Sequence, residues 1–349
     1  MPGKIAHPQT YIFIFVYTIL FLFIASEPQA KPKFKLNNSL AKDIGRTYGF
    51  CLGQQISIRK LSDKFPEFAT RAQQAQREFD LVFSKSISEM ESLMEDYGKE
   101  EWSKIKKDLN TQLESNDISS VSQQDADSFI GTVIKRSKGD IQSPVLETLL
   151  LFKSLYWSNP LQEVLDGFQK EFKTDGTGKS LGLHLGVVYP ASWEAKEARA
   201  PHIVKKFVGK PLNGNIIQCM LFVNNLPTEL KDSLALYDKN KILEYFTTEE
   251  VLKEGMPNVK ILETGSATIA GEKTSWVKVS FSQGTTMKDL YSCSIIYNLM
   301  YKDHIIQVQY FVYNMNNNTE QGVREVMESY ESLFKLLAFK LYIYDKFQY

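Results

Sequence analysis

Cysteine and histidine are scarce in this chain. Cys51, Cys219 and Cys293 are its three cysteines among 349 residues, too few for disulfides to form the framework of an exported fold. At most one bridge can form. Cys219 and Cys293 lie in apolar, strand-like runs of the same half and are the candidate pair; three buried free thiols are the alternative. The four histidines, His7, His184, His202 and His304, stand singly, with no H-E-x-x-H and no Cys or His at zinc spacing, so no metal site is expected. Charge imbalance is missing too. Lys and Arg total 41, as do Asp and Glu, and no overall field draws the protein to nucleic acid or to an anionic membrane.

Catalytic signatures are also lacking. There is no G-x-S-x-G, and Gly265-Ser266-Ala267 is read as a turn between strands. Gly176-Thr177-Gly178-Lys179-Ser180 looks like the end of a phosphate-binding loop. However, Lys173 stands where that loop needs glycine, and the following Leu181 to Tyr189 reads as a strand instead of a helix. Glu249-Glu250 fit the first turn of a helix, where the macrodipole accounts for them. Asp238-Lys239-Asn240 opens like a calcium loop, but Ile242 and Leu243 stand where a ligand and the turn glycine belong. No catalytic residue, cofactor or metal is assigned.

Of long apolar runs there is one. Lys4 precedes an uncharged stretch from Tyr11 to Ile24, followed by Ala25-Ser26-Glu27-Pro28-Gln29-Ala30, the layout of a secretory signal peptide over residues 1–30. As a helix the run spans roughly 21 Å, short of a bilayer core of about 30 Å. Export to a periplasmic or extracellular space, with cleavage between residues 25 and 31, is therefore expected. An uncleaved N-terminal anchor is the alternative, and membrane contact is expected only through that segment.

What remains shows two regimes. Residues 31–173 read as an all-helical bundle. Phe65, Phe68, Ala72, Ala75, Phe79, Val82, Ser86, Met90, Leu93 and Tyr97 trace one face of a long helix with Gly98 as its stop. Trp102, Ile105, Leu109 and Leu113 mark a second helix, and Ser122-Gln123-Gln124-Asp125 opens a third. A fourth runs from Ser143-Pro144 through Tyr156, and a fifth carries Val164, Leu165, Phe168 and Phe172. Ala41, Gly45, Gly49 and Gly53 place small residues every four positions of a helix beginning near Ser39. This packing groove is read as a tight crossing against the long helix, so a Cβ at Gly49 is expected to overpack.

Residues 174–180 are polar and glycine-containing and are read as the linker. From 181 to 349 the period changes to two. Leu181 to Tyr189, Ile216 to Val223, Val259 to Thr264, Trp276 to Phe281, Tyr291 to Tyr301 and Ile305 to Tyr313 read as strands, mainly antiparallel. Short helices follow Thr228 and Thr248, and an amphipathic helix from Glu320 to Leu341 must cover a sheet.

This second half opens with a strand ending in Tyr189-Pro190-Ala191-Ser192-Trp193 and closes on a helix carrying Tyr330-Glu331-Ser332-Leu333-Phe334. It resembles the PsbP-like family, which includes periplasmic DcrB-type proteins, over about 181–341. The resemblance implies an α/β/α sandwich on an antiparallel sheet and a role in binding or assembling proteins; it supplies no catalytic residues. The class expected is thus α+β, a helical bundle followed by that sandwich, in a non-catalytic envelope protein that binds an unknown envelope partner. Two other functions are open: a carrier with an apolar pocket lined by Tyr297, Tyr301, Tyr310 and Tyr313, and a hydrolase assembled from distant residues.

Overall fold

Asn37 begins the ordered helical part: its side chain accepts the Leu40 amide and caps helix α1, Asn38–Lys64. The computed structural model describes residues 34, 36–209, 214–227, 231, 238–256, 258–284, 289–315 and 318–347. The expected signal peptide and the short helix after Thr228 lie outside them, except for isolated Lys231. No helix of the described residues is long and apolar enough to cross a membrane. The chain divides into two compact units, the first ending at Ser154 and the second beginning at Leu155.

The first unit is a bundle. Helix α2, Ala69–Glu114, departs from helical geometry at Gly98. Lys106 nevertheless reaches Glu91 at 3.3 Å and Glu95 at 3.0 Å. Fifteen residues of straight helix span roughly 22 Å, so the chain reverses at Gly98 and the two arms, 69–97 and 99–114, run antiparallel. Phe79, Phe83 and Met90 of the first arm and Trp102 of the second are fully buried. Helix α3, Gln123–Ser137, starts with the expected capping box between Ser122 and Asp125 and lies along α1 and the first arm, with Arg136 bonded to Gln54 at 3.0 Å. Helix α4, Val145–Leu151, is almost wholly buried.

Short helix α5, Ser154–Ser158, starts at the boundary, and α6, Leu161–Leu165, follows in the second unit. Here the expectation fails. The fifth helix was expected through Phe172, but Gly167 takes a φ of 88° just after α6, and residues 169–173 form strand β1, Gln169–Lys173. Phe168 and Phe172, four apart, suit either period, and the glycine decides between them. β1 pairs antiparallel with β2, Leu185–Pro190. The stretch 174–180 therefore joins two paired strands inside the second unit and is not a linker. Its polar side chains are used internally: Thr174 Oγ1 donates to the Leu183 carbonyl at 2.6 Å and accepts the Leu185 amide at 2.7 Å.

The larger sheet contains β3, Glu194–Lys196; β4, Ile203–Val208; β5, Asn215–Asn225; β6, Lys260–Ile269; β7, Glu272–Gly284; β8, Asp289–Tyr301; and β9, His304–Asn314. Its order is β3-β4-β5-β9-β8-β7-β6, with every pairing antiparallel. Gly265-Ser266-Ala267, read as a turn, continues β6; Gly265 lies opposite Trp276, whose indole covers it. Helices α7, Lys239–Tyr245, and α8, Glu249–Gly255, cover one face. There Ile242 and Leu243 meet Met300 and Ile305, and Leu252 meets Val277, Val279 and Ile296. Helix α9, Glu320–Phe339, covers the other, with Val323, Met327, Phe334 and Leu337 against Cys219, Ile295, Tyr310 and Val312. The period-two alternation supplies both apolar faces, and the result is the expected α/β/α sandwich. A last strand, β10, Tyr342–Ile343, joins the other edge of β2 to complete a three-stranded sheet β1-β2-β10.

Candidate functional site

Between the end of β3, the loop after it and one face of β4 and β5, the second unit carries an open groove of about 390 Å³. The β3–β4 hairpin builds it. Ala198, Ala200 and Ile203 form its apolar floor, and Ala198 and Ile203 are backed by Phe222 and Met220 in a small hydrophobic cluster. Lys196, Arg199 and Lys206 bring cations to its walls, with Val208 and Gln218 at the far end. Lys196 is held by Glu194 at 2.9 Å, and Glu197 is occupied by Lys205, whose ammonium keeps that carboxyl below its ordinary range. Arg199 and Lys206 have no ion-pair partner among the described residues. An apolar floor beneath two unpaired cations suits an anionic group with an apolar body.

The residues singled out in the sequence are mostly structural. Cys219 and Cys293 do not bridge: Cys219 pairs with Tyr310 of β9 and Cys293 with Val312 of β9, so a whole strand separates them. Two strand spacings are about 9.6 Å, beyond the roughly 7 Å limit between Cα atoms of a disulfide. All three cysteines are free and buried. Burial pushes the Cys51 thiol up to about 12 and that of Cys293 to about 11.

Of the stripe Ala41, Gly45, Gly49, Gly53, the two glycines Gly49 and Gly53 face the second arm of α2 and not the long first arm. Leu109 and Leu113 point their side chains at Gly49 and Gly53. A Cβ on Gly49 would stand 4.0 Å from Leu109 Cδ2, and one on Gly53 3.5 Å from Leu113 Cδ2. Both are ordinary contacts, so the overpacking expected at Gly49 is absent.

The four tyrosines do not line one pocket. Tyr297 and Tyr310 lie in the core beneath α9, where Tyr310 stacks on Phe334 at 4.8 Å, while Tyr313 is on the opposite face of the sheet. The face beneath α9 is filled by side chains, and the carrier reading loses the pocket it named.

His184 donates its Nδ1–H to Asp345 Oδ1 at 2.7 Å, and its Nε2 rests on Gly176, where a Cβ would come within 2.8 Å. Burial would raise the Asp345 carboxyl, but bonds from the His184 ring and backbone outweigh it and hold it low. His202 stacks on Phe222 at 5.7 Å. His304 closes the β8–β9 hairpin opposite Tyr301. Asp238 caps α7 through the Asn240 amide, and Glu249 pairs with Lys253 one turn on. Among the described residues no group of three or more His, Cys, Asp and Glu is placed to hold a metal ion.

The Tyr-Pro-x-x-Trp segment is fastened by a residue the sequence did not flag. Glu163, buried in α6, accepts the Ser192 amide at 2.7 Å and the Ser192 hydroxyl at 2.8 Å, and Trp193 meets Phe334 edge to face at 6.5 Å. No linear pattern joins position 163 to 192. The same holds for the groove, whose cations come from a strand, a loop and the next strand.

No family model matches the chain, and no curated protein matches it. Solved structures do. The solution structure of cyanobacterial PsbP from Synechocystis sp. PCC 6803 is similar at 12% identity and a TM-score of 0.34, over 50% of this chain and 92% of that one. LpqN of Mycobacterium tuberculosis, described as involved in cell envelope biogenesis, is similar at 12% identity and a TM-score of 0.33, over 53% of this chain and 99% of that one. A Pseudomonas aeruginosa protein described as a putative regulator is similar at 9% identity and a TM-score of 0.25, over 50% of this chain and 96% of that one.

Proposed function

We propose that the protein is an exported, non-catalytic module of the cell envelope that binds another protein through the β3–β4–β5 groove. The observation that carries the binding surface is the pairing of an apolar floor at Ala198, Ala200 and Ile203 with Arg199 and Lys206, cations without an ion-pair partner among the described residues. A partner segment bearing a carboxylate beside an apolar side chain satisfies both. The export reading rests on Lys4, the apolar run Tyr11 to Ile24 and the small residues after it.

Two measurements test these parts separately. Mass spectrometry of protein recovered from an envelope fraction is expected to give a mature N-terminus between residues 25 and 31; an intact Met1 in an integral membrane fraction overturns cleavage. Photocrosslinking from a probe at Arg199 is expected to capture a defined envelope protein, and Lys206→Glu to abolish capture. A crosslinking pattern unchanged by Lys206→Glu overturns the groove as the contact.

A further inference from the structure

The outer face of the β1-β2-β10 sheet and the end of α9 leave aromatic rings in solvent. Phe339 is 46% exposed, Tyr342 51% and Phe347 69%. Lone exposed rings are common, but these three fall within nine positions of the chain, with Lys340 among them. Lys335 stands one turn before Phe339 on the exposed face of α9. Lys340 Nζ bonds only the neutral side chain of Gln169 among the described residues, at 2.7 Å. Tyr342 stacks with Tyr344 at 6.2 Å, and Lys173 lies over the Tyr344 ring at 4.7 Å. Three carboxylates of this region are taken up: Glu171 by the Tyr344 hydroxyl and Lys173, Asp345 by His184, and Glu331, one turn before Lys335, by Lys278. Gly186 lets this happen: with no side chain of its own, it leaves the sheet surface open to Tyr344 and Glu171.

Aromatic rings with uncompensated lysines beside them are the chemistry of an interfacial membrane contact, in which rings enter the headgroup layer and ammonium groups meet lipid phosphates. A second protein copy would present the same cations and repel. The charge points to an anionic surface. We infer that the surface formed by Lys335, Phe339, Lys340, Tyr342 and Phe347 docks peripherally on an anionic lipid bilayer, independently of the groove and of the N-terminal segment. The overall charge balance of the chain hides this local excess.

The test uses the full chain and hydrogen exchange, so that binding by the N-terminal run is separated from binding by this surface. Vesicles mixing phosphatidylglycerol with phosphatidylcholine are expected to slow amide exchange over 339–347, whereas vesicles of phosphatidylcholine alone leave it unchanged. Lys335→Glu with Lys340→Glu is expected to weaken vesicle binding at this surface by about tenfold or more. These lysines are outside the core, so circular dichroism should be unaltered. Phe339→Ser with Phe347→Ser should remove the protection. Exchange over 339–347 unaffected by anionic vesicles, even while the protein co-sediments with them, overturns the inference. So does protection that rises with protein concentration in the absence of lipid, which assigns the surface to self-association.

Discussion

Replacing Gly49 with alanine separates two accounts of the small-residue stripe. Were α1 crossed backbone to backbone, a methyl group there would force the helices apart at a cost of about 1–3 kcal/mol. The structure instead places the nearest neighbour of that methyl, Leu109 Cδ2, at 4.0 Å, an ordinary contact with a flexible side chain. Alanine then gains helix propensity of about 1 kcal/mol over glycine. The half-buried methyl adds a fraction of the roughly 0.8 kcal/mol of a buried methylene. A net gain of about 1 kcal/mol follows, which raises the melting temperature by about 2–8 °C for domains in this size range. Thermal unfolding followed by far-ultraviolet circular dichroism reads it. Gly53→Ala, with its methyl 3.5 Å from Leu113 Cδ2, should behave alike. Gly49→Leu should instead destabilise by driving a branched side chain into Leu109. A lower melting temperature for Gly49→Ala refutes the reasoning.

Other expectations follow from single contacts. Gly265→Ala puts a methyl 2.7 Å from the Trp276 ring and should destabilise by about 1–3 kcal/mol, seen as a lower urea midpoint. Glu272 is partly buried, which would raise its carboxyl, but Lys239 and Lys346, each at 2.8 Å, outweigh that and hold it below the ordinary range. Its contribution is therefore complete above the unfolded pKa near 4.3 and disappears as pH falls through the lower folded value. Glu272→Gln should cost about 1 kcal/mol at neutral pH, reduced by the partial exposure of Lys239, and nothing in strong acid, measured by urea unfolding across pH. Non-reducing peptide mapping should find no link between Cys219 and Cys293, and all three thiols should resist alkylation until the protein is unfolded.

Periodicity made the larger elements legible. The face through Ala72, Ala75, Phe79, Met90 and Leu93 is buried, and Gly98 divides the helices. The alternation in β7, β8 and β9 gives the two sandwich faces. Short elements were harder to read. β1 was hidden because Phe168 and Phe172 fit a helix as well as a strand, and β10 because two residues carry no period. The stripe of small residues was visible, but its partner was not: a leucine tip and a backbone leave the same mark on the sequence of α1. The Glu163–Ser192 clasp joins residues 29 positions apart that pair through topology, and the groove is made by the folding of a hairpin whose residues carry no motif.

The pairing of β10 with β2 has a consequence for the order in which the second unit assembles. His184 binds Asp345 across 161 positions, and Glu171 binds Tyr344 across 173. Closing loops of that length carries its entropic cost before any contact offsets it. The sequential pairs β3-β4-β5 and β6-β7-β8-β9 can form as synthesis proceeds, but β1 and β2 keep an open edge until residues 342–346 arrive. A nascent chain thus stays incomplete in this unit until that segment has been made. Closure then comes in one late step, which fixes the direction from which the unit can begin to open.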